Sequence, residues 1–144
     1  MKKARLILSA SLLTLGAFSA ITFSSCSKDD VCPVGYTGED CKTLVRDQFI
    51  GVYVGTEQCT TGDDSYTITI TANSDNVKVT MTNIYNDNYT AIGTVTGNNT
   101  ISFSGSQGGA TFSGTGTIAG NQLTLDYTVS DGVLSNTCKF IGNK

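Results

Sequence analysis

From Phe49 onward the chain alternates, residue by residue, between apolar and polar side chains. Tyr66, Ile68 and Ile70 are interleaved with Thr67, Thr69 and Thr71; Val77, Val79 and Met81 with Lys78, Thr80 and Thr82; Leu123, Leu125, Tyr127 and Val129 with Thr124, Asp126 and Thr128. A period of two places each apolar set on one face of a β-strand. Less regular versions run over Phe49 to Gln58, Tyr89 to Thr96, Ile101 to Ser104, Ala110 to Ile118 and Leu134 to Ile141, so the pattern predicts eight strands and no helix. The joints carry turn chemistry: Thr61-Gly62-Asp63, Asn73 to Asn76, Asn86-Asp87-Asn88, Gly97-Asn98-Asn99, Gln107-Gly108-Gly109, Gly120-Asn121 and Asp131-Gly132. Joints this short force sequential antiparallel pairing.

Eight meandering strands with one apolar face cannot stay an open sheet, because that face and two unpaired edges would meet water. The expected fold is therefore all-β: an eight-stranded antiparallel up-and-down barrel over residues 49–144. Gly93, Gly105, Gly114 and Gly116 fall inside strand patterns, where a missing side chain permits sharp coiling or close packing across the interior. Simple end-to-end pairing of the first and last strands would set Cys59 opposite Asp131 to Val133. A Cys59–Cys138 bond across the closing seam therefore demands a sheared barrel or a first strand that overruns its neighbour.

The amino-terminal quarter reads differently. Lys2, Lys3 and Arg5 precede an apolar run from Leu6 to Phe23 and then Ser24-Ser25-Cys26, the charged and apolar regions of an export signal over residues 1–25. The run of about 18 apolar residues is just long enough to span a membrane, but its small-residue approach to a cysteine points to cleavage. Phe23-Ser24-Ser25-Cys26 resembles a lipobox, with Phe23 where leucine is usual, which implies lipidation of Cys26. At roughly 0.8 kcal/mol per buried CH₂, two or three acyl chains make a lasting anchor where one would not. Ser27-Lys28-Asp29-Asp30, within a tether over residues 26–31, resembles the surface-export signal of Bacteroidota lipoproteins and implies an outer-membrane address facing the cell exterior.

Five cysteines leave an odd one in an exported chain, and lipidation of Cys26 accounts for it. Cys32, Cys41, Cys59 and Cys138 admit three pairings; the one adopted joins Cys32 to Cys41 and Cys59 to Cys138, in a compartment where disulfides persist. Cys32-Pro33-Val34-Gly35-Tyr36-Thr37-Gly38-Glu39-Asp40-Cys41 resembles the last loop of an EGF-like module, CxxGYxGxxC. The module's upstream cysteines are missing, so neither calcium binding nor receptor recognition carries over, and residues 32–48 read as a compact spacer and linker. The barrel region resembles the small lipocalin-like barrels of Bacteroidota surface lipoproteins in its strand count, its Phe49-Ile50-Gly51-Val52-Tyr53 opening, the Gly120 to Leu125 hairpin and the late Cys138-Lys139-Phe140. That resemblance implies binding of a small apolar molecule.

Charge and chemistry narrow the function classes. The formal charge is −3, and removal of Lys2, Lys3 and Arg5 with the signal segment takes it to −6, a balance that repels phosphate backbones and argues against nucleic acid. There is no histidine and no cysteine left free, so the usual groups that titrate near neutrality are missing. Glu57, Asp63, Asp64 and Asp126 are the carboxylates considered for a glycosidase pair, but Asp63 and Asp64 read as turn residues and Asp126 as part of the threonine face. The Asp/Asn clusters at Asp63 to Asp64 and Tyr85 to Asn88 lack calcium-loop spacing, and no cysteine spacing suits zinc. The expectation is a non-enzyme without cofactor or metal. Its barrel would bind a small apolar molecule through Tyr53, Tyr66, Met81, Phe103, Phe112 and Tyr127; the alternative is a filled barrel that contacts glycans or envelope proteins. Replacing Cys26 by alanine should abolish palmitate incorporation and cleavage; a Cys26→Ala chain still cleaved after residue 25 would overturn the anchor.

Overall fold

The computed structural model describes residues 32–144. The expected signal segment over residues 1–25, the lipidation expected at Cys26 and the expected tether over residues 26–31 lie outside the described residues. The described chain begins with a small ring closed by the Cys32–Cys41 disulfide and a two-stranded ladder, β1 (Tyr36–Thr37) and β2 (Thr43–Leu44). A short 3₁₀ helix, Val45–Phe49, follows. Eight strands then run in order: β3 (Gly51–Cys59), β4 (Gly62–Ala72), β5 (Lys78–Ile84), β6 (Tyr89–Val95), β7 (Thr100–Gln107), β8 (Ala110–Ala119), β9 (Gln122–Ser130) and β10 (Ser135–Asn143). Each pairs antiparallel with the next, and β10 pairs with β3, so the sheet closes into a barrel.

The alternation is read out as burial. Along β9, Leu123, Leu125, Tyr127 and Val129 point inward while Asp126 is exposed; along β4, Tyr66, Ile68 and Ile70 do the same between half-exposed threonines. At the barrel's inner wall Gly116 is squeezed between β7 and β9, where an added Cβ would lie 2.8 Å from both Ile101 and Leu125. Glycine is needed there for close approach across the interior, as the strand pattern suggested.

Closure is achieved by shear. Across the seam Cys59 faces Cys138 and Val54 faces Asn143, so Gly51 to Tyr53 of β3 and Ser135 to Thr137 of β10 overhang at opposite ends of the ladder. The overhang resolves the register problem posed by the sequence, since strands of a closed barrel must tilt and stagger. The staple is in place, Cys59 bonded to Cys138 across 79 residues of chain.

Two features depart from the sequence expectations. The first is the 3₁₀ helix, where a linker up to residue 48 and a strand from Phe49 were expected. Val45 and Phe49, four residues apart, are both fully buried and plug the end of the barrel at which β3 begins. Arg46 Nη1 donates to the carbonyls of Asn73 and Asp75, Gln48 donates to Asn98, and Lys144 Nζ donates to Gln48 and Ile50. These bonds tie the plug to three neighbouring segments, and a helix of five residues has too short a period to announce itself. The second is that Gly62, Asp63 and Asp64 are not a turn: β4 starts at Gly62, opposite Cys59, and only Thr60 and Thr61 connect the two strands. These exposed residues extend beyond the core, where no burial pattern marks a strand.

In the chain-entropy model a closed loop of about eighty residues is worth a little over 4 kcal/mol and a ring of about ten nearly 3. Urea unfolding should therefore show a larger loss for the Cys59→Ala/Cys138→Ala pair than for Cys32→Ala/Cys41→Ala. Gly116→Ala should cost about 1–3 kcal/mol by overpacking, and an unchanged midpoint would contradict the close approach.

Candidate functional site

The end opposite the helix is open. There β3, β5, β7 and β9 finish and β4, β6, β8 and β10 begin, and the inward-facing position four residues beyond Tyr53 on β3's alternation is an acid. Glu57 follows Tyr53 and Gly55 in the inward phase, so the pleat points its carboxylate into the barrel, where the residue is only 3% exposed. Tyr66 of β4 donates its phenol proton to Glu57 Oε1 at 2.6 Å, and Tyr127 of β9 donates to the same oxygen. The two phenol oxygens lie 3.3 Å apart, and Tyr66 accepts the backbone N–H of Tyr85 at 3.2 Å.

This arrangement solves an energetic problem. A carboxylate withdrawn from water is costly unless hydrogen-bonded, and a hydrogen bond to a charged group contributes about 1.5–3 kcal/mol. Both phenols are held neutral: burial, then the hydrogen bond to Glu57, pushes the ionisation of each well above the ordinary phenol value. Glu57 Oε2, by contrast, has no hydrogen-bond partner among the described residues and is left to the open end.

Above the triad lies the β5–β6 turn. Tyr85, Asn86 and Asn88 all take positive φ, at 61°, 49° and 55°. An aromatic residue in that region is uncommon and strained. The turn is pinned by the Tyr85 N–H bond to Tyr66, by Asn86 donating to Asp64 at 2.7 Å, and by Asn136 of β10 donating to the Tyr85 hydroxyl at 2.8 Å. Tyr85 stacks on Tyr89 with ring centroids 6.4 Å apart, and Tyr89 on Phe112 at 5.4 Å. The result is an aromatic ladder along one side of the mouth.

Two cavities meet there and share Thr61, Tyr85 and Asn136. One, of about 300 Å³, is polar and lined further by Glu57, Cys59, Asp63 and Asp64. The other, of about 230 Å³, is more apolar and lined by Tyr89, Ala110, Val129, Asp131 and Leu134. Neither penetrates the barrel, whose interior is filled by Phe49, Tyr53, Ile68, Met81, Leu125 and Phe140, all fully buried.

The six residues expected to contact a ligand are all buried. Tyr53 lies low in the core and donates to the Phe49 carbonyl, with burial pushing its phenol up to about 12. Met81 packs beneath the position of Gly93. Phe103 tilts against Tyr127, and Phe112 backs the aromatic ladder. Tyr66 and Tyr127 meet at Glu57. None of the six lines either mouth cavity. Asp126 lies on the outer wall in an ion pair with Lys139 at 2.7 Å, apart from Glu57. Glu57, Cys59 and Cys138 converge within 4.8 Å, but both sulfurs are spent on the disulfide.

The burial of Glu57 was legible, since it shares its phase with Tyr53 and Cys59. Tyr85 and Tyr89 carried no such signal, because turn composition says nothing about what a turn leans over.

No protein-family model matches the chain, and no curated protein matches it. Among solved structures it is similar to the crystal structure of a putative outer membrane protein from Bacteroides fragilis NCTC 9343, at 17% identity and a TM-score of 0.46. The match covers 69% of this chain and 52% of that one, so the chain spans about half of that protein's length. Such a likeness bears on neither ligand nor mechanism.

Tyr127→Phe should lower stability by about 2–3 kcal/mol in urea, since one donor to a buried carboxylate is lost; a neutral result would remove the triad from the stability account. Alkali offers a second measurement. A phenol whose ionisation is pushed up contributes stability that is complete below the ordinary value of 10.0 and is lost as pH rises through the folded value, about 12 for Tyr53 and higher for Tyr66 and Tyr127. Phenolate absorbance from Tyr53, Tyr66 and Tyr127 should therefore appear only with unfolding.

Proposed function

We propose that the chain is a lipid-anchored envelope protein whose barrel is a non-catalytic binding module, holding a small, partly apolar ligand at its mouth. The observation that carries this reading is the pair of joined cavities above a filled and plugged barrel. Ligand sites are concave and largely apolar with a few placed polar groups. The mouth has that make-up: Tyr89, Ala110, Val129 and Leu134 on one side, and Glu57, Thr61 and Asn136 on the other. The anchor on Cys26 and the small disulfide ring would hold this mouth clear of the membrane surface. Binding is favoured over glycoside hydrolysis because Glu57 Oε1 is committed to two tyrosines, both oxygens of Asp64 are engaged by the Ser65 N–H and Asn86, and Asp126 stands on the outer wall.

A second reading, a contact surface for other envelope components, draws support from Val133 and Leu134, 89% and 73% exposed at the β9–β10 tip, and from Val52 and Val54 on the outer wall. The two readings separate by experiment. A neutral apolar fluorophore such as N-phenyl-1-naphthylamine should bind the full chain at one equivalent. Tyr89→Ala should weaken it about five- to thirtyfold, the effect of about 1–2 kcal/mol of lost apolar contact, and Val54→Glu should leave it unchanged. Binding abolished by Val54→Glu and untouched by Tyr89→Ala would favour the outer wall.

A further inference from the structure

We propose that the mouth selects an organic cation: a ligand with an amine or other ammonium group seated on Glu57 Oε2 and an apolar body against Tyr85 and Tyr89. The inference rests on the binding reading above and names the chemistry of its ligand.

Three independent observations converge on it. The first is Glu57 itself, 3% exposed, with Oε1 satisfied twice, Oε2 without a partner among the described residues, and the side chain lining the polar cavity. The two phenols already fill the donor positions on Oε1, so what is missing is a donor at Oε2. A cationic donor suits it best, since a buried carboxylate gains most from a charged partner.

The second is where the cations are. The described basic side chains are Lys42, Arg46, Lys78, Lys139 and Lys144. Lys42 pairs with Asp40 in the amino-terminal ring, Arg46 and Lys144 are tied to backbone carbonyls at the plugged end, Lys78 pairs with Asp75, and Lys139 pairs with Asp126 on the outer wall. None lines either mouth cavity, whereas Glu57, Asp63, Asp64 and Asp131 do. Backbone N–H groups of Leu134 and Val133 hold the Asp131 carboxyl below its usual range, keeping it ionised. A concave site lined by one sign of charge concentrates ions of the other.

The third is the aromatic wall. Tyr85 borders both cavities and is held over them by strained backbone and by hydrogen bonds to Tyr66 and from Asn136, with Tyr89 stacked beside it. Ring faces attract ammonium groups and also cover an apolar body. A hard metal ion fits less well. Calcium takes six to eight oxygens, and both oxygens of Asp64 are already engaged, by the Ser65 N–H and by Asn86.

The test compares three probes of one shape on the full chain by calorimetry: 2-phenylethylamine, 2-phenylethanol and 3-phenylpropanoate. The amine should bind at least tenfold more tightly than the alcohol, and the carboxylate should not bind. Glu57→Gln should erase the amine's advantage while leaving the alcohol's affinity within about twofold. Should Glu57→Gln fail to fold, Tyr85→Leu serves instead, lowering amine affinity more than alcohol affinity; equal losses would count against the proposal. Equal binding of amine and alcohol to the unaltered chain would overturn the cation preference and leave the mouth as a binding site. Failure of all three, together with failure of the neutral fluorophore, would overturn the binding reading itself. Calcium binding that displaces the amine would reassign Glu57 to a metal.

Discussion

Everything in this molecule depends on joining β3 to β10. Until that ladder forms, the sheet has two exposed edges and an apolar face turned to water, and the inward residues have no opposite wall to pack on. Closing it creates the interior, and the cost is a loop of nearly the whole domain. The Cys59–Cys138 bond sits on that ladder, with the two residues directly opposed, so the covalent link removes much of the closure entropy from the step that needs it. Shear follows from the same closure, and it carries β3 past the end of β10 on one side and β10 past the end of β3 on the other.

The two ends of the barrel are used in opposite ways. At one, Val45 and Phe49 of the 3₁₀ helix enter as apolar plugs, held by Arg46, Gln48 and Lys144 through bonds to backbone carbonyls. At the other, no apolar plug fills the opening among the described residues, and the last inward position of β3 before the cystine is a carboxylate. A polar residue there is tolerable because β4 and β9 each bring a tyrosine to the same height, and because the carboxylate's second oxygen lies at the boundary with the mouth. A buried triad of this kind stabilises the barrel and leaves Glu57 Oε2 without a partner among the described residues, so the residue that serves the fold is also the one on which the proposed recognition rests.

The strained β5–β6 turn fits that picture. Positive φ at Tyr85, Asn86 and Asn88 is a local cost, borne because each residue is held from elsewhere: Tyr85 by Tyr66 and Asn136, Asn86 by Asp64, and the Asn88 N–H by the Asn83 side chain. Such over-determined strain holds an aromatic face over the opening.

Strand number, strand order, inward faces and closure were all legible in the chain, because alternation at period two is a direct record of a sheet with one dry face and short polar turns dictate neighbours. Gly116 and Glu57 could be placed on the inner wall by phase alone. The helix at Val45 to Phe49 and the extension of β4 through Asp63 and Asp64 left no such record: one is shorter than any period it could show, the other lies beyond the core where both faces meet water. The site itself was decided by tertiary structure. Residues 57, 66, 85, 127 and 136 share no local pattern, and only the radius and shear of the closed barrel bring two phenols onto one carboxylate oxygen and set Tyr85 above it. The aromatic residues expected to meet a ligand became the wall that supports the site, since a barrel of eight strands is narrow enough for their side chains to fill it.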